Sequence, residues 1–189
     1  DSANEMGDLW IQVVPRTEAD RRLLMADFAP KVIADDAAGY EKLLEVDPGN
    51  ARLHDAIAVL YLTLGKGDAA IAHLKEALRL SPRSAETHYN LATALARQQR
   101  VGESVDHFRQ TLRIEPDHVA AHVNLGAALR SQLDFGEAAI HLRRALQLAP
   151  RNAAAHTNLG GVLLAERKPR EAIAHYRLAL DAKPDLLEA

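Results

Sequence analysis

Cysteine is absent from the 189-residue chain. That excludes disulfides and every site built on a thiolate, although it does not choose a compartment. Aromatic residues make up only 4%, which fits cores packed from alanine and leucine. Neither sign of charge dominates: 23 Lys and Arg stand against 26 Asp and Glu, for a net −3. Such a balance leaves no electrostatic footprint for nucleic acid or an anionic membrane. No apolar run approaches the roughly 20 residues of a membrane span, and no signal peptide is visible. There is no Gly-x-Ser-x-Gly elbow and no His-Glu-x-x-His, and Gly65-Lys66-Gly67 lacks the rest of a phosphate cradle and reads as a turn. The residues therefore give no reason to expect catalysis or a cofactor.

What the chain has instead is a ruler. Pro48, Pro82, Pro116, Pro150 and Pro184 follow one another at intervals of 34 residues. A fixed period in this range signals a stack of equivalent small units, each covering its neighbour's apolar face. If each unit ends two residues after its proline, the units run 51–84, 85–118, 119–152 and 153–186. The columns then align. Ile57, Leu91, Leu125 and Leu159 share one, and Ala58, Ala92, Gly126 and Gly160 the next. Tyr61, Leu95, Leu129 and Leu163 follow, then Ala70, Ser104, Ala138 and Ala172. Leu74, Phe108, Leu142 and Tyr176 form a large column. Apolar positions three and four apart are helical spacing. The small column marks where one helix approaches another closely, and the large column fills the space beside it.

Local chemistry sets the boundaries. Proline lacks an N–H and disfavours helix in the residue before it, so each one closes the second helix of its unit. Asn50, Ser84 and Asn152 are placed to cap the following helix, and His118 holds that place as a poorer cap. The spacing predicts helix pairs at 51–64 with 68–80, 85–98 with 101–114, 119–132 with 135–148, and 153–166 with 169–182.

Over 51–186 this pattern resembles the tetratricopeptide repeat family, whose unit is a helix–turn–helix of this length with small, large and proline positions at these places. The resemblance implies an all-α fold, an α-solenoid wound as a right-handed superhelix. Segment 17–50 fits as a degenerate capping pair: Ala37 to Leu44 follows the pattern, whereas Leu24, Asp27 and Pro30 break it. Residues 187–189 read as the start of a truncated next helix. RNA-reading helical repeats have a similar period but need basic character, which is missing.

Residues 1–16 stand outside the repeat. Leu9 to Val14 is rich in strand formers and ends at Pro15. It reads either as a loosely packed leader or as the last strand of an upstream domain, and the chain begins at Asp1 rather than methionine. Asn4-Glu5-Met6-Gly7-Asp8-Leu9-Trp10-Ile11 is similar to the end of the C-terminal domain of copper, ascorbate-dependent monooxygenases. That resemblance would make Met6 a copper ligand, with the histidine ligands upstream of this chain.

Eight of the nine histidines fall in two columns: His54, His88, His122 and His156, and His73, His107, His141 and His175. Units about 10 Å apart cannot bring a column onto one ion with ligands at about 2 Å. The expectation is packing or surface histidine, and no metal site.

One column carries binding chemistry. Asn90, Asn124 and Asn158 occupy the sixth place of three successive units, where first helices line the concave face. An amide offers a donor and an acceptor, which suits an extended backbone. At about 3.3 Å per residue, one rung would meet roughly every third residue of a peptide. Tyr89, Thr93, Arg97, Arg130 and Thr157 belong to the same face. The column is similar to the asparagine ladder in the repeat superhelix of O-linked N-acetylglucosamine transferases; the other reading is that the amides only bridge adjacent helices. The cation-lined groove that grips chaperone C-terminal tails is disfavoured, because Asp55, Val59 and Ala154 stand where the cations would be.

The expected function is a scaffold that binds a protein or peptide in its groove, without nucleic acid or membrane. The alternative is a docking module of a larger copper monooxygenase-like enzyme or glycosyltransferase. Location is extracytoplasmic if the N-terminal resemblance holds, and otherwise cytoplasmic. Around Ile173, Tyr176, Leu180 and Leu187 the end of the stack should expose an apolar patch that supports self-association.

Overall fold

The computed structural model describes residues 36–182, and every regular element among them is an α-helix. Helix α1 covers 36–46. Four pairs follow: α2 (Ala51–Thr63) with α3 (Gly67–Leu80), and α4 (Ala85–Arg97) with α5 (Val101–Ile114). Then come α6 (Val119–Ser131) with α7 (Phe135–Leu148), and α8 (Ala153–Ala165) with α9 (Pro169–Ala182). The helix spans expected from the sequence agree with these to within one residue at either end. The expected strand at Leu9–Val14, the Met6 position and Leu187 lie outside the described residues.

Each first helix starts and stops by the same chemistry. The side chains of Asn50, Ser84 and Asn152 accept from the N–H of Leu53, Thr87 and Ala155. His118 does the same work after all. Its Nδ1 accepts from the Ala121 N–H at 3.2 Å, because the bare nitrogen of a neutral imidazole is a hydrogen-bond acceptor. At the other end the chain reverses through one left-handed residue: Gly65, Gln99, Leu133 and Arg167, with φ of 72°, 60°, 64° and 61°. The amide after each donates back five residues, as Asp134 does to the Leu129 carbonyl at 3.0 Å, which satisfies carbonyls the helix leaves unpaired. Only the first of these turns uses glycine. A left-handed L-residue costs on the order of 1 kcal/mol, and Leu133 also leaves 72% of its surface in solvent. Leu133→Gly should therefore raise the melting temperature; a fall would show that glycine's extra unfolded-state entropy outweighs the relieved strain.

Within a unit, the small column meets the large one. Ala58, Ala92, Gly126 and Gly160 are buried, as are Leu74, Phe108 and Leu142, with Tyr176 half-buried. A Cβ on Gly126 would come within 2.6 Å of Leu142 Cγ and 3.2 Å of the Ala138 carbonyl oxygen; one on Gly160 would meet the Tyr176 ring at 2.8 Å. Successive units then stack in chain order, each second helix packing against the next first helix. First helices of adjacent units also touch, whereas the second helices of adjacent units do not pack against each other among the described residues. First helices therefore line the inner side of the curve. The glycine columns give a paired test. Gly126→Ala gains about 1 kcal/mol of helix propensity but overpacks a site closed by the buried Leu142 side chain and the Ala138 carbonyl, at about 1–3 kcal/mol, so stability should fall. In Gly102→Ala the new methyl has only Gln132 Nε2 near, at 4.0 Å, and stability should rise. Chemical denaturation of both variants checks the two signs.

Candidate functional site

The inner side of the stack is built from α2, α4, α6 and α8. Contacts between neighbouring first helices fix its floor. Thr87 on α4 donates to Asp55 Oδ2 on α2 at 2.6 Å. Burial pushes the Asp55 carboxyl above its ordinary value, against the lowering effect of that bond. Its Oδ1 is buried with no partner among the described residues. Asn124 Nδ2 on α6 donates to the Tyr89 hydroxyl on α4 at 3.1 Å. The Tyr89 ring in turn stacks on His118, with centroids 4.8 Å apart. On α8, a Cβ at Gly161 would lie 2.9 Å from Arg130 Nη1. The missing side chain thus lets the α6 arginine lie flat across the next helix.

These contacts sort the residues expected at the site. Asn124 bridges adjacent helices through its amide nitrogen. Asn158 donates to the Ala154 carbonyl in its own helix at 3.0 Å, and the Asn90 side chain has no hydrogen bond among the described residues. The hydroxyls of Thr93 and Thr157 donate to the carbonyls four residues back, Tyr89 and Ala153. Arg97 and Arg130 are exposed, and neither forms an ion pair among the described residues. The rungs are therefore alike in position and unlike in engagement, although all three leave Oδ1 without a donor. Beyond α4 the floor carries no carboxylate: α6 has one charged residue, Arg130, and α8 has none.

The two histidine columns meet. One histidine from each joins the other inside every unit, Nδ1 to Nδ1: His54 with His73 at 2.9 Å, His88 with His107 at 3.0 Å, His122 with His141 at 3.0 Å and His156 with His175 at 2.9 Å. Ring centroids stand 5.1–5.2 Å apart, close to the largest separation such contacts allow, so the nitrogens face head-on. Two imidazoles on opposite sides of one metal ion would need roughly 4 Å, from bonds of about 2.0–2.1 Å. These pairs share a proton instead. The sequence shows each column separately; only the constant separation of 19 residues between partners hints that they join.

A family profile described as "Tetratricopeptide repeat" matches residues 35–85, 56–119, 89–152 and 123–186. No curated protein matches the chain in sequence. Among solved structures, one described as "Crystal structure of MamA" is 19% identical with a TM-score of 0.76, covering 93% of this chain and 100% of that one. YrrB, described as "a TPR protein with an unusual peptide-binding site", is 20% identical with a TM-score of 0.72, covering 88% of this chain and 84% of that one. PilF of Pseudomonas aeruginosa is 21% identical with a TM-score of 0.73, covering 85% and 73%. At these identities the likeness is one of fold. The resemblance of residues 4–11 to a copper monooxygenase lies outside the described residues and gains no support from these matches. The profile spans most of the chain in overlapping units that agree with the helix pairs and the proline period: the chain belongs to the tetratricopeptide repeat family.

Proposed function

We propose that this protein is a binding scaffold that holds an extended segment of another protein along its inner groove, from α4 onward. The observation that carries this reading is the asparagine column, in which Asn90, Asn124 and Asn158 each keep an amide oxygen with no donor among the described residues, on the face that first helices line. An extended backbone presents N–H groups that would fill those acceptors, and Arg97 and Arg130 add guanidinium donors that form no ion pair among the described residues. YrrB, of the same fold, is described as having a peptide-binding site, which favours a peptide over a small molecule.

The test separates binding from folding. A peptide selected from a displayed random library on the wild-type chain should bind tens-fold or more weakly to the triple variant Asn90→Ala, Asn124→Ala, Asn158→Ala, at about 0.5–1.5 kcal/mol per lost bond. Equal affinities would sink the groove reading. Stability should respond at one rung only. Asn124→Ala breaks the link to Tyr89 and should cost about 0.5–1.5 kcal/mol, while Asn90→Ala should stay within about 0.5 kcal/mol of wild type.

A specific observation also favours self-association at the last described helix pair. Ile71, Val105 and Ala139, at one place in three successive second helices, are buried at 5%, 3% and 3%, whereas Ile173 at the same place in α9 is 50% exposed. Leu178 and Leu180 are exposed beside it, and Tyr176 is half-buried. In the first three units the next first helix covers this face. Sedimentation of the wild-type chain should show concentration-dependent association that Ile173→Asp weakens; a wild-type chain that stays monomeric at high concentration would count against it.

A further inference from the structure

Each histidine pair has a proton inventory that its neighbours fix. In the first member of each pair, Nε2 faces the carbonyl of the proline that closes the preceding helix: Pro48 at 3.4 Å, Pro82 at 3.2 Å, Pro116 at 2.8 Å and Pro150 at 3.0 Å. A carbonyl only accepts, so that nitrogen carries the hydrogen and the neutral ring's Nδ1 is bare. The partner's Nδ1 must then be the donor across the gap. Its own Nε2 is the one nitrogen with no hydrogen bond among the described residues.

The whole unit is joined through this arrangement. His122, on the first helix, holds the turn behind it through Pro116 and the second helix through His141. The other three pairs do the same at equivalent positions. One extra proton can go to the open Nε2 of the second histidine without breaking anything. A second has no free nitrogen and must displace the N–H···N bond, leaving two imidazolium rings face to face.

The surroundings differ from pair to pair in charge but not in this limit. Glu41 and Glu76 lie near His54 and His73. Glu103, Asp106 and Lys75 surround His107. His122 faces Asp117, Arg144 and His118, while His141 faces Glu137 and Arg109. Glu137 comes within 3.6 Å of His141 Nε2, but it is already held by Arg109 at 2.8 Å. Arg143 and Glu171 flank His175. Burial comes first, and in all four second histidines the partner ring's charge adds to it, holding His73, His107, His141 and His175 below the ordinary histidine value. Burial also holds His122 down, against the raising effect of its bond to Pro116.

We propose that the four histidine pairs are proton-sensitive latches that hold the two helices of every unit, and the turn behind them, together when neutral and release them on acidification. The sign follows from proton counting. A depressed folded-state value gives stability that is complete above the unfolded histidine value of about 6.5 and is lost as pH falls below it. The unfolded chain can take up two protons per pair and the intact latch only one. Four pairs therefore raise the unfolding constant by up to about ten-thousand-fold per pH unit at the steepest point.

The experiment compares thermal melting between pH 7.5 and 5 for the wild-type chain and the quadruple variant His73→Gln, His107→Gln, His141→Gln, His175→Gln. Glutamine can donate to a neutral histidine and, by flipping its amide, accept from a charged one, so the variant keeps the contact and loses the switch. The wild-type melting temperature should fall across this range, and that of the variant by less than about half as much. Parallel curves would overturn the proposal. Nitrogen-15 spectra of the wild-type histidines at pH 7.5 test it without any variant. His54, His88, His122 and His156 should be protonated on Nε2, and their partners on Nδ1; the opposite tautomers, or titration of His73, His107, His141 and His175 at the ordinary value, would overturn it as well.

Discussion

The close approach of one helix to another at the small column is the constraint on which the rest of the structure depends. A first helix can lie against its own second helix only where Ala58, Ala92, Gly126 or Gly160 leaves room for Leu74, Phe108, Leu142 or Tyr176. That fit sets the angle of each helix pair. The same angle, repeated four times, fixes how one pair offers its face to the next. A change at one such position is felt by both neighbours, since the large residue filling the gap also belongs to the core shared along the stack. The curve, the inner groove and the pairing of the histidines all follow from this one steric match.

The division of labour between the two kinds of helix is chemical as well as geometric. The second helices carry much of the charge and its ionic links, with Arg79 to Glu76 inside one helix and Arg109 to Glu137 between two. The later first helices are almost uncharged and present amides, hydroxyls and small side chains. A face with little charge of its own keeps few competitors for a ligand's hydrogen bonds. The charge of the outer helices thus sits apart from that surface.

Fold was legible in the sequence because its signal is one-dimensional. Proline placement, the small and large columns and the caps at Asn50, Ser84 and Asn152 are each local, and each repeats three to five times. Contacts across columns were not legible. Nothing in the composition says that His122 meets His141, because the meeting depends on how two helices are rotated about their axes. For the same reason Asn124 reaches Tyr89 while Asn158 turns back to Ala154, although the column makes the two look equivalent. His118 caps its helix as the column places it to, and which ring nitrogen is bare, which residue type alone does not say, decides that it can.

First helices of adjacent units touch, and among the described residues second helices of adjacent units are bridged only by long side chains such as Arg109 and Glu137. Mechanically, this makes the stack a spring with a stop on one side. Bending that tightens the curve drives already touching helices into each other and meets hard repulsion at once. Bending that straightens it moves the outer helices into the gap between them, against only side-chain rotations and a few contacts given up along the floor. Thermal motion should thus be lopsided, with excursions toward an opener arc and few toward a narrower one. Under the proposed role, a guest too bulky for the resting groove would be admitted by unbending, while a thinner one would not be gripped by closing further, so snug contact with it would come from its own side chains.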